Sequence, residues 1–185
     1  MKLKHIEHEM KIIETNGFFV FNILESEHLN PTISDLLESN LLNEAYFYPK
    51  EEIKRRKQEW NEIFGPHSEE TDILKIYGSI LQDRIDSTDF YELNYKEYLE
   101  KIDNYLSEWS DEVVPYLFNT LKSHHFYSIE KLKSENPEKR KFFFMDDEFV
   151  EKSKQSETNI YEFFFTIIST LKNSNRIIVM NFGYD

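Results

Sequence analysis

Histidine and carboxylate residues lie close together at three places where they could bind a metal ion. His5 and His8 are three residues apart, Glu25 precedes His28 by the same spacing, and residues 146–148 read Asp-Asp-Glu. Imidazole and carboxylate groups are common ligands of zinc and of harder cations. A di-iron bundle needs two Glu-x-x-His motifs, and this sequence has one. We therefore interpret these residues as surface or capping residues, and expect no metal site and no cofactor.

Other catalytic and cofactor-binding motifs are missing from the sequence. There is no Cys, which excludes a thiol nucleophile and a cysteine zinc site. Four Gly residues leave little material for a phosphate-binding loop, and no P-loop, His-Glu-x-x-His or Gly-x-Ser-x-Gly motif occurs. The sequence therefore favours a non-enzymatic role, and we predict no catalytic residues.

The charge of the chain limits its partners. It has 35 acidic and 22 Lys or Arg residues, for a net charge of −13. Such a charge repels phosphate backbones and anionic lipids, so we expect no direct nucleic-acid binding and no membrane binding. The basic run 54–57 is the one segment that resembles a nucleic-acid patch, but nearby glutamates dilute it. A basic protein partner fits the charge best.

The acidic residues are concentrated in the middle of the chain. Residues 59–112 hold 15 acids and four bases. Within this segment, tyrosines alternate with acids, a combination that can supply both the charge and the anchor residues of a protein interface. The residues that we expect to contact a partner are Tyr91, Tyr95, Tyr98, Glu97, Glu100, Asp103 and Glu108.

A helix is expected to position these residues. Aromatic and apolar residues from Tyr91 to Trp109 are spaced 4, 3, 4, 3 and 4 apart, which predicts an amphipathic helix over about 90–109. An aromatic stripe at this spacing is more often core than interface, and the acids can equally form a solvated outer face. The sequence leaves both alternatives open.

The remaining patterns predict an α+β fold that is predominantly helical. Single-domain packing of residues 1–185 is expected, with six to eight helices and a small β-sheet built from strands near both termini. The predicted strands are 18–24, 141–145 and 177–182, and the predicted helices are 3–13, 33–42, 50–64, about 69–81, about 90–109, about 110–121 and 160–172. A strand at Phe163–Phe165 is the alternative to the last of these helices.

These features lead to three hypotheses about function. The N-terminal residues are charged where a signal peptide is apolar, and no apolar segment approaches the roughly 20 residues that span a bilayer, so we expect a cytoplasmic protein. The leading hypothesis is an inhibitor or immunity-type protein that neutralises a basic toxin such as a nuclease. The first alternative is a metal-dependent hydrolase that uses carboxylate and His ligands, and residues 146–148 with the nearby Lys152 suggest a nuclease site. The second alternative is a self-associating structural protein or an accessory protein of a phage or mobile element, such as a homodimer.

Overall fold

The computed structural model describes residues 1–13, 17–39, 41–42, 54–55, 58, 62, 76–77, 80–108, 110, 112, 115–146 and 163–184. The strands in these ranges are β1 (Leu3–Ile13), β2 (Gly17–Ser26), β3 (Ile76–Tyr77), β4 (Ile80–Leu81), β5 (Tyr91–Leu93), β6 (Arg140–Asp146), β7 (Phe163–Leu171) and β8 (Arg176–Tyr184). The helices are α1 (Ile33–Glu38), α2 (Tyr95–Glu108) and α3 (Pro115–Leu132).

Six of the strands form one antiparallel sheet. Its order is β1-β2-β8-β7-β6-β5, and β3 pairs separately with β4. The chain starts at one edge with the β1–β2 hairpin and reaches the other edge at β5. After α2 and α3 it returns through β6, β7 and β8, so that β8 pairs with β2. The N-terminal hairpin and the C-terminal strand β8 are therefore neighbours in the sheet.

Both faces of this sheet are covered. On one face, α2 and α3 add residues such as Tyr98 and Leu121 to a buried cluster with the inward-facing strand residues. On the opposite face, α1 adds Ile33 and Leu36, and the segment around Ile80 joins a second buried cluster. The central strands are consequently apolar on both sides, as in other sheets that are packed between two layers.

A row of aromatic rings crosses the sheet beneath α2 and α3. Phe19 packs on Phe182 with ring centroids 4.7 Å apart, and Phe182 packs on Phe165 at 4.6 Å. Phe165 then packs on Phe144 at 5.3 Å, and Phe144 on Tyr91 at 5.5 Å. The row thus passes through β2, β8, β7, β6 and β5 in turn. Aromatic pairs at these distances stabilise a core beyond the area that they bury.

The prediction of a predominantly helical protein with six to eight helices and a small sheet is wrong. Within the described residues the structure has three helices and a six-stranded antiparallel sheet. The strands predicted at 18–24, 141–145 and 177–182 lie within β2, β6 and β8. None of the described helices is long and apolar enough to cross a membrane.

The predicted helix over 3–13 is strand β1, and a bulge explains the error. The pairing register shifts between His5 and Glu7, which leaves Ile6 as an additional residue. Leu3 and Met10 therefore lie on the same face of the strand although they are seven residues apart. Because seven residues also make two turns of a helix, the bulged strand has the apolar spacing of a helix.

Two other predicted helices are strands where the structure describes them. The segment 160–172 contains β7, in which Phe164 and Phe165 are buried on opposite faces of the sheet. Because both faces are buried, apolar residues do not alternate with polar ones along this strand. A short run of this kind fits a buried strand or a buried helix equally well. The described part of 69–81 forms β3 and β4. Most of the helix predicted over 50–64 lies outside the described residues.

A buried ionic cluster joins the end of α3 to the sheet. Glu135, in the 3-10 turn after α3, accepts hydrogen bonds from Arg176 Nε and Nη2 at 2.9 and 2.8 Å. Arg140 Nη2 donates to Glu135 Oε2 at 3.1 Å, and Arg140 Nε donates to the Glu135 carbonyl at 2.6 Å. Arg140 is only 3% exposed and Glu135 8%. Two strands and one helix thus depend on a single carboxylate.

Replacement of Glu135 by Gln is expected to destabilise the fold strongly. The substitution keeps the shape of the side chain but leaves the buried Arg140 charge without its counterion, which costs about 3–5 kcal/mol in comparable pairs. Urea unfolding followed by circular dichroism measures this loss. Glu138→Gln, at an exposed position three residues later, is the matched control and should change stability by less than about 0.5 kcal/mol. Similar losses for the two variants would contradict this role of Glu135.

Candidate functional site

Helix α2 carries most of the residues that the sequence singled out, and its first turn is fixed by a capping box. The Glu97 backbone N–H donates to Asn94 Oδ1 at 3.0 Å, and the Asn94 N–H donates to Glu97 Oε2 at 2.7 Å. These two bonds satisfy donors that a helix start leaves free. Glu97 therefore has a structural role of its own, whatever it contacts in a complex.

The inner face of α2 is part of the core. Tyr98 stacks on Phe142 with centroids 4.8 Å apart, and its hydroxyl lies 2.9 Å from Ser128 Oγ on α3. Burial raises the pKa of the Tyr98 hydroxyl, which stays protonated. Tyr105 stacks on Phe165 at 5.2 Å. The tyrosine stripe thus attaches α2 to the sheet.

The predicted tyrosines differ in how much of each ring reaches the surface. Tyr98 has none of its surface exposed, so its ring cannot contact a partner in this fold. Tyr91, in β5, and Tyr95, in the first turn of α2, are half-buried and pack against the same core cluster. Partner binding by Tyr91 and Tyr95 stays a prediction.

The acids of α2 lie on the side that points away from the sheet. Glu97, Glu100, Asp103 and Glu108 are all exposed, and at about 100° per residue they share an arc of about 140° opposite Tyr98. We call these four residues the acidic face. Glu100 pairs with Lys96, at 3.3 Å between Oε1 and Nζ, as an exposed i, i+4 pair. Pairs of this kind contribute little to stability, so the carboxylates remain accessible.

An open groove of about 610 Å³ lies beside the acidic face, between the end of α2 and the start of α3. We call it the α2–α3 groove. Its α2 side is mainly polar, whereas its α3 side presents an aromatic wall, including Phe126 with 57% of its surface exposed. The residues that line it are Asp103, Leu106, Ser107, Ser110, Glu112, Phe118, Lys122, His125 and Phe126.

Two adjacent histidines of α3 face different environments. His125 lines the groove, is only 4% exposed, and places Nε2 3.8 Å from Asp103 Oδ1, which is too long for a hydrogen bond. Burial lowers the pKa of His125, and the Asp103 charge opposes this shift. His124 lies in the core against Phe19 and Phe182, with centroids 5.6 and 6.1 Å away. Neither ring nitrogen of His124 has a hydrogen-bond partner in the described structure.

The residues considered as metal ligands do not converge where the structure describes them. The His5 and His8 rings pack edge to face at 6.2 Å, and His8 Nδ1 lies 2.7 Å from Asn22 Oδ1. His28 lies beside Glu27, with 3.5 Å between Nε2 and Oε1. Within the described ranges, no three His, Asp or Glu residues are grouped so that they could hold a metal ion. Asp147, Glu148 and Lys152 lie outside those ranges.

The groove was not predicted from the sequence, although part of its wall has a recognisable spacing. Phe118, Lys122 and Phe126 recur every four residues and therefore lie along one side of α3. That spacing gives a helix stripe but does not indicate whether the stripe is buried. The approach of Ser107 and His125 across the groove depends on how α2 and α3 pack, which no local pattern encodes.

Comparisons of the chain with protein-family models, with curated proteins and with solved structures found no match. The site must therefore be interpreted from its own geometry.

The buried His124 is expected to make the fold sensitive to acid. Burial lowers its pKa from 6.5 to about 4, so below pH 6.5 a proton binds the unfolded chain in preference to the folded one. Stability then falls as the pH drops from 6.5 towards 4, by up to about 3 kcal/mol, and this contribution levels off below that pH.

Replacement of His124 by Leu should remove this contribution, because Leu fills a similar volume and does not titrate. The measurement is urea unfolding at several pH values, from about 7.5 to about 4.5. The wild type should lose more stability over this range than His124→Leu does. His28→Leu, at an exposed histidine, is the control and should follow the wild type. Parallel pH profiles for wild type and His124→Leu would show that His124 protonates freely in the folded state.

Proposed function

We propose that this chain is a non-enzymatic protein-binding domain that binds a basic protein through the acidic face of α2. Its most specific form is a cytoplasmic inhibitor or immunity-type protein that neutralises a basic toxin such as a nuclease. The observation that supports the proposal most directly is the exposure of four carboxylates on one side of a helix whose opposite side is fixed in the core.

The rigidity of this face favours binding. Glu97 closes the capping box at the start of α2, and Tyr98 and Tyr105 hold the helix against the sheet. The helix that carries the acids is therefore already ordered, and a partner does not have to fold it on binding. Acidic surfaces of this type speed the encounter with cationic proteins and select against anionic ones.

The neighbouring groove adds an apolar contact to the charged one. Interfaces usually combine a polar rim with a few buried anchors, and exposed aromatic residues are frequent among these anchors. Phe126 is exposed at the edge of the groove, next to the acidic face. In a complex with a phosphate-binding enzyme, the carboxylates of such a surface would pair with the cationic groups of the active site. The aromatic ring beside them would block access to it.

Charge reversal at two acids tests the proposal. Glu100→Lys with Glu108→Lys changes the acidic face and leaves the capping box and the groove lining intact. We expect slower association with the partner, a weaker salt dependence, and at least about tenfold lower affinity. The control is Glu38→Lys with Asp83→Lys, which makes the same change in net charge at exposed residues of α1 and of the turn after β4.

The experiment uses the immobilised protein, its reversed variant and the control variant in extracts of the source cell. Bound proteins are identified by mass spectrometry, and the affinity of a purified candidate is measured by calorimetry. A basic protein that binds the wild type and the control but not the reversed variant, and whose activity is inhibited on binding, is the expected result. Equal retention by all three proteins would contradict the proposed role of the acidic face.

A second copy of the chain is the other candidate partner, because β1 is an edge strand. No strand in the described ranges pairs with its outer side, and Ile6 and Ile12 are 41% and 68% exposed. Edge strands can extend a sheet into another copy. If they do so here, light scattering should show a dimer for the wild type and a monomer for Ile12→Lys. A monomeric wild type at high concentration would contradict self-association through β1.

A further inference from the structure

The two walls of the α2–α3 groove differ in chemistry. Phe118 and Phe126 stand one turn either side of Lys122 on α3, and Asp103 stands across the groove on α2. Glu112, from the segment between the two helices, supplies a second carboxylate. A ligand in the groove would therefore meet aromatic faces on one side and negative charge on the other.

Polar atoms at the base of the groove have unused hydrogen-bonding capacity. His125 is 4% exposed, and its Nδ1 is buried without a hydrogen-bond partner in the described structure. Its Nε2 lies 3.8 Å from Asp103 Oδ1, so the two groups are close without bonding to each other. Because Nδ1 is buried, a group in the groove can reach His125 only through Nε2, and a group with several donors could bond to Nε2 and Asp103 Oδ1 together.

We propose that the α2–α3 groove binds an arginine side chain of the basic partner, with its guanidinium group between Asp103 and His125 and its stem against Phe126. This inference rests on the proposed function, since it names the partner group that the groove receives. The groove would then supply specificity, and the acidic face would supply long-range attraction.

Arginine fits this site better than lysine. Its planar guanidinium group carries five N–H donors, so it can serve a carboxylate and an imidazole lone pair at the same time. It also stacks on aromatic rings and is less strongly hydrated than an ammonium group, which lowers the cost of entering a partly apolar groove. His125 supplies the lone pair because burial lowers its pKa and favours the neutral ring.

Lys122 indicates that the aromatic wall accepts a cation. Its Nζ lies 5.2 Å from the centroid of the Phe118 ring, within the range of a cation–π contact. The side chain of Lys122 is exposed and can move away. It would repel an incoming guanidinium group, so its removal should improve binding, whereas the loss of the Asp103 charge should weaken it.

The test uses N-acetyl-arginine amide as the probe and N-acetyl-citrulline amide as its uncharged control of the same shape. Nuclear magnetic resonance of the ¹⁵N-labelled protein follows the His125 ring nitrogens and the backbone amides of Ser107 and Phe126 during titration. Arginine should shift these signals in a saturable way. Citrulline should not.

Three conservative variants locate the binding site. Asp103→Asn should weaken arginine binding by about three- to tenfold. Lys122→Met should strengthen it by about twofold, since one repulsive charge is removed. Glu38→Gln, at an acid of α1 that belongs neither to the groove nor to the acidic face, should leave the affinity unchanged. All three positions are exposed, and a matching thermal transition for each variant confirms that the fold is intact.

The possible contrary results separate this inference from the proposed function. Equal shifts with citrulline, no shifts up to the solubility of the probe, or equal weakening by Asp103→Asn and Glu38→Gln would each overturn the arginine site. The role of the acidic face would survive any of these results if reversal of Glu100 and Glu108 still reduced partner affinity. If that reversal had no effect, the proposed function would fail even if free arginine bound in the groove.

Discussion

Five neighbouring strands each contribute one aromatic ring to a row that crosses the sheet. Phe19, Phe182, Phe165 and Phe144 have no exposed surface, and Tyr91 extends the row to the edge strand β5. Since each ring comes from a different strand, the row forms only when all five strands are in register. It also creates the flat apolar surface on which α2 lies, so the position of that helix follows from the packing of the sheet.

The position of α2 in turn determines what the surface presents. Tyr98 and Tyr105 belong to the core, and the acids that alternate with them in sequence are directed outward. The segment that looked like one mixed interface therefore separates into a structural side and an exposed side. Part of the negative charge of the chain is therefore carried by a helix that its aromatic side holds against the sheet.

The packing of α2 against α3 produces the groove, and it places the adjacent residues His124 and His125 in different surroundings. His124 and His125 are about 100° apart around the helix, so one reaches the core and the other reaches the groove. Burial lowers the pKa of both imidazole rings, that of His124 in the core and that of His125 beside the groove. One histidine thus belongs to the core, and its neighbour contributes a polar group to the groove.

Local apolar patterns were enough to predict three strands, at 18–24, 141–145 and 177–182, and the amphipathic helix α2, because such patterns specify local structure. The sequence also identified the acids of α2, but not which of their neighbours are buried. Residues 3–13 and 163–171 form strands whose apolar residues do not alternate, because a bulge interrupts the first and both faces of the second are buried. Their strand structure therefore became evident only in the folded protein. The groove likewise exists only after folding, because its walls come from residues that only helix packing brings together.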